Sequence, residues 1–140
     1  PEKLFISECE NKKFSPDLLR SLADRFQTSI TSVAYKYFEL GRHPVCLFYS
    51  HNNTVKYWKR PDDYPYFINS RIKLPPPEDS VAAEFFDNQK IYSRTQSKQP
   101  IWKSTWFELK KFENDNDFKF YEYCIITPKY NTVLSIVWEE

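Results

Sequence analysis

The 140-residue chain reads as an α+β protein: a small helix-turn-helix-like module followed by an antiparallel sheet with one or two helices. Three observations predict that class. Residues 15–44 carry apolar positions at the helical period, and the chain beyond Pro44 changes to short runs rich in β-branched and aromatic residues. Turn signals separate those runs closely enough for neighbouring strands to pair antiparallel.

The helical signals are local and specific. Ser15 is placed as an N-cap, Pro16 fits the first helical position where its missing N–H is no loss, and Asp17 complements the positive end of the helix dipole. Leu19, Leu22, Ala23 and Phe26 then share one face. Ser29 can cap a second helix whose apolar face is Ile30, Val33, Ala34, Tyr37 and Phe38, and Gly41 stands where a left-handed C-cap belongs. Two helices this short must bury their apolar faces against something else. Upstream, Leu4 and Phe5 suit the end or continuation of a helix, and the polar residues that follow read as a linker.

The sheet is predicted from alternation and turns. Val45–Ser50 and Thr54–Trp58 flank His51-Asn52-Asn53, where Asn supplies the positive φ of a hairpin in a chain with one Gly. Pro61 and Pro65 make residues 60–72 a loop with an edge segment. Pro75–Pro77 form an extended spacer, and Val81, Ala82, Phe85 and Phe86 mark a third helix within residues 78–88. Ile91–Thr95, Trp102–Leu109, Phe118–Thr127 and Thr132–Trp138 read as strands. The expected division is a helical module at 1–44 and an α+β domain at 45–140.

Composition narrows the function classes. Twenty basic and nineteen acidic residues leave a net charge of +1, divided as seven against six in residues 1–44 and thirteen against thirteen thereafter. So even a balance gives little electrostatic support to nucleic-acid or membrane binding. Cys9, Cys46 and Cys124 lack both the pairing of a disulfide framework and the spacing of a zinc site, which points to a reducing cytoplasm. No apolar run approaches the roughly 18 residues of a membrane span. A first residue that is Pro and not Met suggests a fragment of a longer protein.

Leu19–Ser50, Thr54–Arg60, the Trp106 segment and Phe120–Glu140 together resemble the C-terminal portion of the ImmA/IrrE family of metallopeptidase-like regulators. The more specific part is E-x-x-x-x-x-P-x-Y-x-x-V-L-S-I, running from Glu122 to Ile136. The opening PEKLF is similar to the segment that follows the metal-binding helices in that family. The resemblance implies an N-terminal zinc peptidase domain outside this sequence, a helix-turn-helix linker and a sensor domain of GAF type. It also implies a role in transcription regulation and stress response, because family members cleave or inactivate DNA-binding repressors. Expected partners are the chain's own peptidase domain and a repressor protein or small-molecule signal. The family's H-E-x-x-H is missing, and His43 and His51 have no helical His or Glu partner, so no catalytic residue carries over. Zinc is expected only in the missing domain, and no cofactor in this chain.

Candidate sites follow from residue chemistry. On the second helix Thr31, Ser32, Tyr35 and Lys36 would read DNA bases, with Arg20, Arg25 and Arg42 near enough for phosphates; a merely polar outer face explains the same residues. Trp58, Trp102, Trp106 and Tyr123 could line a small-molecule pocket, but a core short of aliphatic residues is the stronger explanation for such rings. Strand alternation would put Trp102 and Trp106 on one side. His43, His51 and Cys46 could converge on a metal, although loop histidines beside an edge strand need none. Asp62-Asp63 and the acidic turn 113–117 lack the Gly and ligand spacing of a Ca²⁺ loop. Glu84, Glu108 and Glu122 could supply a carboxylate pair, but nothing in their spacing says that they meet.

Overall fold

The computed structural model describes residues 2–140 and is mixed α+β, with five helices and one five-stranded antiparallel sheet. Helix α1 (Glu2–Cys9) precedes α2 (Pro16–Arg25) and α3 (Ile30–Leu40). Strands β1 (Cys46–His51) and β2 (Thr54–Lys59) form the expected hairpin, and α4 (Val81–Asn88) follows the proline spacer. Strand β3 (Gln99–Ile101), the single-turn helix α5 (Lys103–Trp106), β4 (Phe120–Thr127) and β5 (Thr132–Glu139) complete the chain, and the sheet order is β2-β1-β5-β4-β3.

The caps form where their side chains dictate. The Ser15 hydroxyl accepts from the Leu18 N–H at 3.0 Å, and Ser29 accepts from the Ser32 N–H at 3.0 Å. Gly41 is a correction: its φ of −71° is extended and not left-handed. Glycine is needed there for closeness, because a Cβ would lie 2.5 Å from the Tyr37 ring and 2.6 Å from the Tyr37 carbonyl oxygen. The hairpin turn does use positive φ, at Asn52 (50°) and Asn53 (60°), and Asn131 repeats the device between β4 and β5 (52°).

Two cores sit on opposite faces of the sheet because strand side chains alternate. Leu47, Tyr123, Leu134, Ile136 and Trp138 face Phe5, Phe14, Leu19, Leu22, Val33 and Tyr37 from the helices before β1. On the other face Cys46, Phe48, Phe120, Cys124, Val133 and Val137 meet Val81, Ala82 and Phe85 of α4 together with Trp106 and Phe107. The helices of residues 2–40 therefore share one core with the sheet, and the sheet is covered on both sides.

Two expected strands are absent. Ile91–Thr95 leads into a 3₁₀ turn at Ser93–Gln96, with the strand displaced to Gln99–Ile101. Within Trp102–Leu109 the chain makes the helical turn α5, and Trp102 is 52% exposed while Trp106 is fully buried, so the two rings do not share a side. The physical reason is the burial of Trp106, which a turn permits: the Thr105 N–H reaches the Trp102 carbonyl and the Phe107 N–H the Lys103 carbonyl. Trp106 then stacks on Phe48 with centroids 4.0 Å apart. Replacing a fully buried indole leaves a large cavity, so Trp106→Ala should lower stability by about 3 to 5 kcal/mol in a denaturant titration. A loss below about 1 kcal/mol would contradict the packing described.

Candidate functional site

The outer face of α3 is polar as expected, with Thr31, Ser32 and Lys36 exposed and Tyr35 half-buried. Tyr35 is drawn inward by a hydrogen bond between its hydroxyl and that of Tyr57 on β2, and Tyr57 stacks on Tyr49 at 5.1 Å. Burial, then that hydrogen bond, pushes the Tyr35 hydroxyl well above the usual tyrosine range. Ser32 and Lys36 instead line a cavity of about 320 Å³ between α1 and α3, with Phe5, Phe26, Thr28 and Val33.

The arginines considered for phosphate contact are engaged within the protein. Arg20 bonds Asp17 at 2.7 Å, the Gln96 carbonyl at 3.1 Å and the Tyr123 hydroxyl at 3.3 Å. Arg25 lies 3.6 Å from Glu8, and Arg42 lies 3.0 Å from Glu10. A DNA-binding face needs cations free to displace counterions, and these three tie α2 and the α3–β1 link to neighbouring elements.

The four pocket aromatics do not converge. Tyr123 points into the core shared with the helices, Trp106 into the core on the opposite face, and both are buried. Trp58 lies opposite Phe48 on the edge strand β2 and is 38% exposed. Trp102 lines a separate surface cavity with Asp79, Pro100 and Ile101.

Burial and pairing account for the remaining chemistry-bearing residues. The thiols of Cys9, Cys46 and Cys124 are all buried, which pushes Cys46 up to about 12 and raises the other two, leaving each protonated and unreactive. His43 is fixed by a 2.8 Å contact between Nε2 and the Glu139 carbonyl. In the acidic turn Glu113 holds the buried Lys103 ammonium at 2.8 Å, which also lies over the rings of Phe118 (4.2 Å) and Tyr66 (4.3 Å). Asp115 accepts from both the N–H and the hydroxyl of Ser104. Among the described residues no group of three His, Cys, Asp or Glu side chains could hold a metal ion, and no helix is long and apolar enough to cross a membrane.

What sequence reasoning missed is the role of Glu122. Its carboxylate is completely buried and accepts from the backbone N–H groups of Val81 (2.9 Å) and Ala82 (3.2 Å), from Trp106 Nε1 (3.2 Å) and from the Cys124 thiol (3.2 Å). Four donors thus satisfy one buried anion, and two of them are orphan N–H groups of the first turn of α4. Of the other two glutamates considered with it, Glu84 pairs with Arg94 at 2.6 Å and Glu108 is exposed. The signal that could have found Glu122 is a charged residue at an inward position between apolar neighbours on a predicted strand.

No family model matches the chain, and no curated protein matches it.

Two outcomes follow from this geometry. Glu122→Gln keeps the shape but turns an amide towards N–H donors, and should cost about 2 kcal/mol; Glu122→Ala strands all four donors and should cost about 4 kcal/mol. Thermal or denaturant unfolding measures both. The second concerns Glu140. Burial opposes its ionisation, but hydrogen bonds from Lys98, Trp138 and Lys13 prevail and hold its carboxyl at about 2. A folded-state pKa below the unfolded value gives stability that is complete above the usual carboxylate range and lost as pH falls towards 2. Glu140→Gln should therefore flatten the fall in stability between about pH 5 and pH 2 and leave its slope above about pH 6 unchanged.

Proposed function

We propose that this chain is the regulatory C-terminal region of an ImmA/IrrE-like zinc peptidase that acts on DNA-binding repressors, with a helix-turn-helix-like linker at 1–44 and a GAF-like sensor domain at 45–140. In this reading the chain is itself non-catalytic and cytoplasmic, and it transmits a signal to a peptidase domain upstream. The observation that carries the reading is the core shared by α1, α2, α3 and one face of the sheet. A helical linker seated directly on a sensing sheet would register any change in that sheet as a change in its own position.

Further support comes from the segment that bears the resemblance. Glu122 at its start is the buried carboxylate gripping α4, Val133, Leu134 and Ile136 near its end are core residues, and Pro128 and Tyr130 belong to the turn between β4 and β5. The alternative, a transcription regulator that reads DNA through Thr31, Ser32, Tyr35 and Lys36, is weakened by the intramolecular pairing of Arg20, Arg25 and Arg42.

The coding sequence upstream of Pro1 tests the proposal: it should encode H-E-x-x-H within about 100 residues, since two helical histidines and a neighbouring Glu are what zinc peptidase chemistry requires. An upstream region without that motif overturns the peptidase connection. The chain alone should bind no stoichiometric zinc by metal analysis, and duplex DNA only weakly and without sequence preference. Sub-micromolar, sequence-selective binding at physiological salt would promote the DNA-reading alternative instead.

A further inference from the structure

At the junction of the helices with the sheet, a cavity of about 270 Å³ is lined by His43, Pro44, Tyr64, Pro65, Tyr66 and Glu139. Its chemistry is one carboxylate among rings. The Tyr66 hydroxyl donates to Glu139 Oε1 at 2.6 Å and fixes the carboxyl group. Oε2 accepts no hydrogen bond among the described residues, and no Lys or Arg lies within ion-pairing distance of Glu139. Neither nearby cation pairs with that carboxylate: Arg60 donates to the carbonyls of Tyr64 (3.3 Å) and Tyr66 (2.8 Å), and Lys103 pairs with Glu113.

The walls are rigid. Prolines have few conformations to lose, the Tyr64 and Tyr66 rings meet edge to face at 5.3 Å, and His43 is held by the Glu139 carbonyl. Lys103 already occupies a position over the Tyr66 ring, which leaves Tyr64 as the aromatic surface for a guest and Tyr66 as the residue that orients the carboxylate. An unneutralised carboxylate beside an aromatic face and two prolines suits a cation whose charge is spread over methyl groups and needs no hydrogen-bond acceptors. We propose that this cavity binds a small quaternary ammonium compound, with Glu139 as the counter-charge, Tyr64 as the cation–π surface and Tyr66 as a positioning residue. The proposal does not depend on the regulatory reading above.

Choline chloride is the probe, titrated at fixed ionic strength into the isotope-labelled chain and followed by the amide resonances of His43, Tyr64, Tyr66 and Glu139. The comparison titrant is its uncharged isostere, in which carbon replaces the ammonium nitrogen. Choline should shift those resonances saturably, and the isostere should bind at least about tenfold more weakly, since shape is equal and only the charge differs. Glu139→Gln should weaken choline by a similar factor. Tyr66→Phe, which keeps the ring but frees the carboxylate, should weaken it severalfold, and this variant serves if Glu139→Gln fails to fold. Absent or unsaturable shifts, equal affinity for the two titrants, or unchanged choline affinity in a folded Glu139→Gln protein would overturn the assignment.

Discussion

The buried carboxylate of Glu122 is the constraint on which the rest of the second core depends. An anion removed from water is tolerated only when donors surround it, and here those donors come from three separate places: the first turn of α4, the indole of α5 and the thiol on its own strand. Each gains in turn. The first turn of α4 finds partners for N–H groups that no intrahelical bond can satisfy, and Trp106 satisfies its one polar atom inside an apolar core. Because a hydrogen bond is directional in a way that apolar burial is not, this cluster fixes where α4 and α5 sit on the sheet. The stack of Trp106 on Phe48 then carries that position across to β1.

The opposite face is organised differently. There the helices of residues 2–40 meet the sheet through rings, with Phe14 between Tyr37 and Trp138 at 4.8 and 4.6 Å, and the polar work is done at the margin by Arg20 and by the cluster around Glu140. Arginines that on sequence alone could have served a nucleic-acid partner are instead the ties between helices and their neighbours. Pairing of this kind contributes little energy where it is exposed, but it fixes the orientation of α2 and uses the donors a phosphate would need.

Much of the architecture was legible in the residues, for identifiable reasons. Ser15, Ser29, Pro16 and the Asn52-Asn53 turn act through bonds to neighbours a few positions away, so their effect is set before any tertiary contact forms. The failures come where distant contacts override such local signals. Trp102–Leu109 has the composition of a strand, and it became a helical turn because Trp106 had to reach Phe48 and Glu122, two partners far away in the chain. Gly41 looked like a left-handed cap, but its requirement is steric room for the Tyr37 ring, which no capping pattern encodes.

The four pocket aromatics illustrate the limit for sites. Composition identified Trp58, Trp102, Trp106 and Tyr123 as rings rich enough for a ligand, yet periodicity on a strand or turn cannot say which face a neighbouring element will cover. The sequence by itself determined the helix-to-sheet order, the starts of α2 and α3, the Asn52-Asn53 turn and the near-neutral charge, all properties of adjacent residues. Only the tertiary structure decided that Trp106 and Tyr123 lie on opposite faces, that Glu122 joins α4 to α5, and that Glu139 is held by Tyr66 beside Tyr64, Pro44 and Pro65 with no Lys or Arg partner among the described residues. Those outcomes depend on strand order and on which donors reach a buried charge, and both are set by contacts between residues that the chain keeps far apart.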